Sequence, residues 1–468
     1  MAEAQEVSRR SFMKTAGAAT AAAAAIPAAQ AKAAAFIRKI NAANNQVQFG
    51  VIGTGGRGQY LLTHFNTLDT GRCVAVCDIY EPHLKKGMQA SKDKPQGYKD
   101  YRELLSRKDI DAVVIATPLY VHFPVTRDAL EAGKHVFCEK SLVFKPEEVH
   151  ALRALAEAHP KQVLQVGLQR RYSKFYQTAK AMIDKGVIGQ VTHVRAQWHR
   201  NPGWTMKQYP ERQRELNWRL FREYSGGLTA ELASHQIDVA DWMFGATPEF
   251  VVGVGSLDFM KDGRDVYDNI QLIYNYPKGR KLVYTSISTN NHLSLFGGTR
   301  TEFGELIMGT GGSIEITVGT DKEPALGLWY YEPGAKVTKA EEKKEKAAVA
   351  AATLASTGAG ARALPILFEK DTITGKESFL EREMKFARRW LYTKGVMVPE
   401  EDRNPVDVEL ESFLDATRTG RRPKADIEIG LADSIAVILS NLAMDEGRRV
   451  YFNEIEKMGL GNGKPQRT

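Results

Sequence analysis

The stretch that most limits what this chain can fold into is Gly53-Thr54-Gly55-Gly56-Arg57-Gly58. A short apolar run, Val47-Gln48-Phe49-Gly50-Val51-Ile52, leads into it, and Gln59-Tyr60-Leu61-Leu62-Thr63-His64-Phe65 reads as the helix behind it. Strand, glycine turn and helix in this order are the context in which G-x-G-x-x-G carries meaning. Gly53 permits a tight turn, Gly55 lets the backbone approach a pyrophosphate, and Gly58 lets the helix pack close to the strand. The helix N-terminus then offers free N–H groups and a positive dipole end to phosphate. The next apolar run, Cys73-Val74-Ala75-Val76-Cys77, ends in Asp78. A carboxylate there accepts hydrogen bonds from the adenosine ribose hydroxyls and repels a 2′-phosphate. The pattern predicts NAD in preference to NADP, with Thr54, Gly56 and Arg57 in the same loop and Arg57 as the cation that keeps NADP open.

The regular alternation continues. Apolar strands are predicted at Asp111–Ala116, His135–Cys138 and Val163–Val166, with helices over Tyr101–Ser106, Val125–Ala132 and Pro146–His159 between them. Strands alternating with helices mean a doubly wound parallel sheet, an α/β Rossmann domain over 45–166. Ligands of such sheets bind at the carboxyl ends of the strands, where Gly53, Asp78, Thr117 and Lys140 all fall. From about Gly167 the pattern changes. Strands at Val191–Trp198, Phe250–Val254, Asn269–Tyr276, Lys281–Ile287 and Ser313–Ile316, with turns such as Pro277-Lys278-Gly279, predict an α+β domain over 167–462 with a largely antiparallel sheet. Residues 335–363 are of low complexity and read as a surface insertion. Helices are predicted over Val406–Thr419 and Ile429–Gly447.

Ser8-Arg9-Arg10-Ser11-Phe12-Met13-Lys14 and the alanine-rich run behind it read as a twin-arginine export signal over 1–31, with Ala29-Gln30-Ala31 as the cleavage site. No later run reads as apolar enough to span a bilayer, so no stable membrane anchor is expected after cleavage. A net charge of +8 spread among Asp and Glu, with no basic block, argues against nucleic acid. Cys73 and Cys77 share a strand and are too far apart to bridge, and Cys138 is the third cysteine. An exported chain without a disulfide framework fits one that folds before export to the periplasm. Free NAD is scarce there, so tight binding and a closed redox cycle are expected. No metal site is expected.

Three further pieces carry a family resemblance: Thr117-Pro118 with His122; Gly133-Lys134-His135-Val136-Phe137-Cys138-Glu139-Lys140; and Gly226-Gly227 leading into Glu231-Leu232-Ala233-Ser234-His235-Gln236-Ile237-Asp238. With the glycine loop and Asp78 these resemble the glucose–fructose oxidoreductase and inositol dehydrogenase (Gfo/Idh/MocA) family. Lys424-Ala425-Asp426-Ile427-Glu428-Ile429-Gly430 resembles a recurrent C-terminal segment of it. The resemblance implies that Lys140 sits beside the nicotinamide and the reacting hydroxyl, where an ammonium stabilises developing negative charge. It also implies an acid–histidine pair, Glu231 and His235, four apart on one helix face. His235 is the expected general acid/base and Glu231 the residue that orients it or touches the sugar. Thr117, Pro118, His122 and Glu139 are expected near the cofactor. The chain departs from the family at Ser141, where Pro is usual, and at Glu231, where Asp is usual; Ser141 predicts a less rigid loop around Lys140.

Gln169-Arg170-Arg171-Tyr172 and Trp198-His199-Arg200-Asn201 offer polar and aromatic groups that suit a polyol or sugar. Arg171, Tyr172, His199 and Asp238 are the candidate substrate contacts. The implied function is an exported NAD(H)-dependent oxidoreductase acting on a sugar, sugar acid or glycoside, and the resemblance is compatible with a homo-oligomer. Two alternatives stand beside it. One is an NAD-dependent glycoside hydrolase that oxidises, eliminates, hydrates and reduces with no net redox change. The other is a non-catalytic sugar-binding protein.

Overall fold

The computed structural model describes residues 46–200, 204–290, 303–317, 326–331, 363–365 and 403–458, with positions 375, 377, 378 and 382. The signal over 1–31 and almost all of 335–363 lie outside the described residues.

Two sheets organise the chain. The first has six parallel strands in the order β3-β2-β1-β4-β5-β6. These are β1 (Val47–Ile52), β2 (Gly71–Cys77), β3 (Gln96–Tyr98), β4 (Ala112–Ile115), β5 (His135–Glu139) and β6 (Leu164–Gly167). β4 is buried along its whole length, which is why it reads as an unbroken apolar run. The connecting helices are α1 (Gly56–Phe65), α2 (Glu81–Ala90), α3 (Tyr101–Leu105), α4 (His122–Glu131) and α5 (Pro146–Ala158).

The glycine loop is shaped by sterics. Gly53 has φ +89°, a region that favours glycine. A Cβ on Gly58 would lie 2.0 Å from the Gly53 carbonyl oxygen. The first helical turn therefore rests directly on the strand end, and only hydrogen fits between them.

The second sheet has nine strands, β14-β13-β12-β11-β7-β10-β9-β8-β15. It contains β7 (Val191–Trp198), β8 (Phe250–Ser256), β9 (Asn269–Asn275), β10 (Lys281–Ile287), β11 (Phe303–Gly309), β12 (Gly312–Thr317), β13 (Leu326–Tyr331), β14 (Ala363–Pro365) and β15 (Val450–Tyr451). Its pairs are antiparallel except β7 with β10, which run parallel. Helices α6 (Lys174–Asp184) and α7 (Ser234–Phe244) belong to this half.

Two C-terminal helices tie the halves together. Asn404 caps α8 (Pro405–Thr419), accepting from Val406 N at 2.9 Å. Its Leu410, Phe413 and Leu414 enter the same core as Val47, Phe49 and Leu61, so the late chain returns to cover the parallel sheet. Asp426 caps α9 (Ile427–Glu446). This helix lies against β6, β8, α5 and α7. It corrects the expectation about apolar runs, because its mean hydropathy of 1.6 makes it apolar and long enough to cross a membrane. The physical reason is its position: Leu431, Ala436, Leu439 and Ala443 are fully buried between the two sheets.

The contact at Gly58 makes a direct test. Gly58→Ala should lose about 2 kcal/mol or more despite the helix propensity of Ala, because backbone must move. Gly56→Ala, whose Cβ meets nothing within 4 Å, should stay within about 1 kcal/mol of the parent. Urea unfolding of the two variants checks this; equal stability would contradict it.

Candidate active site

The carboxyl ends of the parallel strands open into a cavity of about 280 Å³. Arg57 reaches it from the start of α1, Thr117 and His122 from beyond β4, Glu139 and Lys140 from the end of β5, and Gln169 from beyond β6. The second half closes it with Trp198 and Arg200 at the end of β7, and with Glu231 and His235. Residues expected from separate parts of the sequence therefore share one space: Arg57, Thr117, His122, Glu139, Lys140, Glu231 and His235.

Glu231 lies in a π turn, Thr229–Ala233, that runs into α7. A π turn misaligns the carbonyl ladder, and such turns gather at functional sites. Here Lys140 Nζ donates to Ala230 O at 2.7 Å and to Glu231 O at 2.8 Å. Burial pulls the Lys140 pKa below the usual lysine range, with Glu231 and Glu139 opposing. The Lys140–Ser141 peptide is cis. Ser141 does not loosen the loop as expected. Its carbonyl faces His122 Nδ1 at 2.7 Å, its hydroxyl donates to Asp433 Oδ2 at 3.2 Å, and Leu142 N donates to Ser434 Oγ at 2.9 Å.

His235 is 6% exposed, and among the described residues its Nδ1 has no hydrogen-bond partner. Burial and the positive charges of Lys140, Arg170 and Arg57 hold its pKa well below 6.5, so the imidazole is neutral at neutral pH. Arg57 Nη2, Thr117 Oγ1, Gln169 Oε1 and Trp198 Nε1 are likewise buried and unpartnered, and all five of these residues line the cavity. Unpaired buried polar atoms are costly. Five around one space mark it as built for a polar guest.

The glycine loop lies beside this space. Asp78 Oδ2 accepts from Thr54 N at 2.8 Å and Oδ1 from Tyr80 N at 2.9 Å. Arg57 Nε donates to Glu139 Oε1 at 2.6 Å. His122 bridges two loops, since its Nε2 faces Thr117 O at 3.0 Å while Nδ1 faces Ser141 O. Burial lowers its pKa, and the two carbonyls work against that.

The four candidate substrate contacts need correction, because none lines the cavity. Arg171 and Asp238 neutralise each other in a buried bidentate pair at 2.6–3.1 Å. Tyr172 is 2% exposed and packs in the core. His199 is buried and accepts from Ile287 N at 3.2 Å, and burial alone takes its pKa to about 4. Side chains alternate along extended chain, so Trp198 and Arg200 face the cavity while His199 turns away. Asn201 lies outside the described residues. Sequence reasoning missed Leu119, Trp204, Trp218 and Arg219, which with Ala116 and Leu232 complete the wall. The chain has six Trp, and three of them line this cavity; composition held that signal without its location.

Residues 47–168 match the profile of the Gfo/Idh/MocA oxidoreductase family, NAD-binding Rossmann fold, and residues 176–315 match the Gfo/Idh/MocA C-terminal domain. The chain belongs to the Gfo/Idh/MocA family. Residues 6–25 match a twin-arginine translocation pathway signal sequence. Relatives of this Gfo/Idh/MocA chain include an inositol 2-dehydrogenase of Salmonella typhimurium, 31% identical over 195 residues, 42% of this chain and 53% of the relative. A glycosyl hydrolase family 109 protein 2 of Shewanella sp. is 30% identical over 192 residues, 39% of this chain and 42% of the relative. The chain thus spans about half the length of the curated relatives it matches. Levoglucosan dehydrogenase, solved with NADH and levoglucosan, shares the fold with a TM-score of 0.62 at 17% identity, over 87% of this chain and 99% of that one.

Beneath the Arg57–Glu139 pair, α8 places Glu409. It is 0% exposed and both carboxyl oxygens are unpartnered among the described residues. Burial, and after it the neighbouring Glu139 charge, raises its pKa well above the ordinary 4.5. A raised acid pKa stabilises the fold below the unfolded value and that stability is lost as pH rises toward the folded value. The stability of Glu409→Gln relative to the parent should therefore climb above pH about 4.5, by about 1.4 kcal/mol per pH unit until the folded pKa is passed. Melting temperatures of both proteins from pH 4 to 9 measure it; a pH-independent difference would contradict it.

Proposed function

We propose that this Gfo/Idh/MocA chain is an exported, NAD(H)-dependent oxidoreductase acting on a CH–OH group of a sugar, sugar acid or glycoside, and that it keeps its dinucleotide bound in the periplasm. The dinucleotide site falls in 45–166 and the substrate side in 167–462. The observation that carries the reading is the convergence of Lys140 and His235 on one cavity ringed by unpartnered polar atoms.

The loop fits the cofactor. Gly55 has φ −66° and a Cβ there would meet nothing nearer than the His83 ring at 3.7 Å, so neither backbone nor packing demands glycine. Close approach of a pyrophosphate does. NAD is favoured because Arg57 is engaged by Glu139 at the end of β5. Asp78 stands at the end of β2, three strand spacings or roughly 14 Å away.

A bound dinucleotide supplies the hydride acceptor. The chain manages the proton. An ammonium has three N–H donors. Lys140 uses two on Ala230 O and Glu231 O, and its third, with no partner among the described residues, orients the substrate oxygen. His235, neutral because buried among cations, takes the hydroxyl proton as the carbon is oxidised. Glu231, held by Arg219 at 2.9 Å, fixes the turn that supplies the carbonyls.

The Shewanella relative supports a second reading, a hydrolase that returns the hydride to its substrate. Release of an aglycone with the sugar's oxidation state unchanged would favour it.

Denaturing the purified mature protein should release NAD, and a protein free of any dinucleotide would contradict the proposal. The pH profile is a further check. A depressed His235 pKa keeps the base form as pH falls, so the oxidation rate should hold level down to pH 6.5, with its acid limb lower still. His235→Asn should lower kcat about 10²- to 10⁴-fold and abolish that limb. An acid limb centred above pH 6.5 would contradict the assignment.

A further inference from the structure

Contacts run outward from the glycine loop in a line that ends on the other half of the molecule. A Cβ on Gly55 would lie 3.7 Å from the His83 ring. His83 Nδ1 lies 3.8 Å from Asp78 Oδ2, and its ring centre lies 4.9 Å from that of Tyr80, edge to face. Tyr80 in turn meets Tyr209, with ring centres 6.3 Å apart and planes at 82°. Asp78, Tyr80 and His83 belong to the parallel-sheet half, and Tyr209 belongs to the second. Burial lowers the His83 pKa; Asp78 opposes, and the charges of Lys86 and Lys207 add to the lowering. Lys207, two residues before Tyr209, therefore shares this corner.

Asp78 takes the adenosine ribose, so the adenine lies among the groups beside it. Every base has a flat π face on which aromatic side chains stack. An edge-to-face pair spends only one face of one ring, and neither Tyr80 nor Tyr209 is buried. The segment that carries Tyr209 is fixed in shape. Tyr209 N donates to Gln213 Oε1 at 2.7 Å. Gln213 Nε2 and Asn217 Nδ2 each donate to Lys207 O at 2.9 Å, and Lys207 N donates to Asn217 Oδ1 at 2.9 Å. Arg264 Nη2 holds Trp204 O at 2.6 Å. The same segment supplies Trp204, Trp218 and Arg219 to the cavity wall. One run of chain thus reaches both the cavity and the corner beyond Asp78.

We infer that residues 204–219 strap the dinucleotide into its groove, with Tyr209 and Tyr80 flanking the adenine, so that NAD leaves only when this segment of the second half gives way. The inference rests on the oxidoreductase reading and adds the residues that retain the cofactor at its adenosine end. A segment already held in shape loses little freedom when the cofactor binds. Its contribution falls on the rate of release.

The test loads the purified mature protein with NADH and follows the loss of bound NADH fluorescence after a chase with excess NAD. Tyr209→Ala should release NADH about 5- to 100-fold faster, the range of one base–aromatic stack. Tyr209→Phe, which keeps the ring, should release it at the parent rate. ADP-ribose carries the adenosine end without the nicotinamide, and calorimetry on stripped protein should show it binding Tyr209→Ala more weakly by the same factor. Gln213→Ala, which removes the side chain that holds Tyr209 N, provides a second variant if Tyr209→Ala does not fold, and should also quicken release. A folded Tyr209→Ala protein that releases NADH at the parent rate, or that binds ADP-ribose as tightly as the parent, would overturn the inference and leave the oxidoreductase reading standing. A parent protein that binds no NADH would remove the two together.

Discussion

The site depends on an ammonium buried at a seam. Lys140 belongs to the parallel sheet, and the carbonyls that hold it belong to the other half of the molecule. A buried cation without partners is costly. The π turn supplies two oxygens that a regular helix would have kept for itself. Bringing the halves together and positioning the amine are thus one interaction. Helix α9 enforces it from behind. Ser434 holds the loop after Lys140 through Leu142 and Val143, and Asn441 holds Gly226 O and the Thr229 hydroxyl at the entry to the π turn.

Electrostatics around the seam divide into closed and open parts. Arg171 with Asp238, and Arg170 with Glu305, are buried pairs that satisfy each other and frame the site. Breaking either would leave an uncompensated buried charge, which costs far more than the pair contributes. Burial first, and then the charges of Lys140, Arg170 and Arg57, keep His235 neutral. The open part is the cavity itself, where Arg57 Nη2, Thr117 Oγ1 and His235 Nδ1 lack protein partners. Glu409 behind it is the reverse case, an acid placed where ionisation is disfavoured.

Much of this was legible in the sequence, and the boundary is physical. The parallel strands were readable because burial on both faces makes them continuous apolar runs, and β7 and β10 were readable from β-rich segments between turns. Glycines at 53 and 58 announced the turn because sterics allow little else. Lys140, Glu231 and His235 were legible through a family pattern, not through spacing: the π turn between them alters the geometry that an i, i+4 reading assumes. Arg171 and Asp238 were misread because a pair separated by 67 residues leaves no local trace. Trp204 comes from irregular chain, and Trp218 and Arg219 from a single 3-10 turn too short to leave a period in the sequence. The apolar α9 was underrated because its burial depends on two sheets that the chain must first assemble.

The central claim is that the nicotinamide lies between an amine and an imidazole brought from the two halves. A crystal structure of the mature protein with reduced dinucleotide tests it most directly. The account predicts the pyrophosphate over Gly53–Gly58, the ribose hydroxyls on Asp78, and the nicotinamide ring facing both Lys140 Nζ and the His235 ring across the cavity. A dinucleotide bound elsewhere, or a nicotinamide with the two side chains turned away from it, would contradict it.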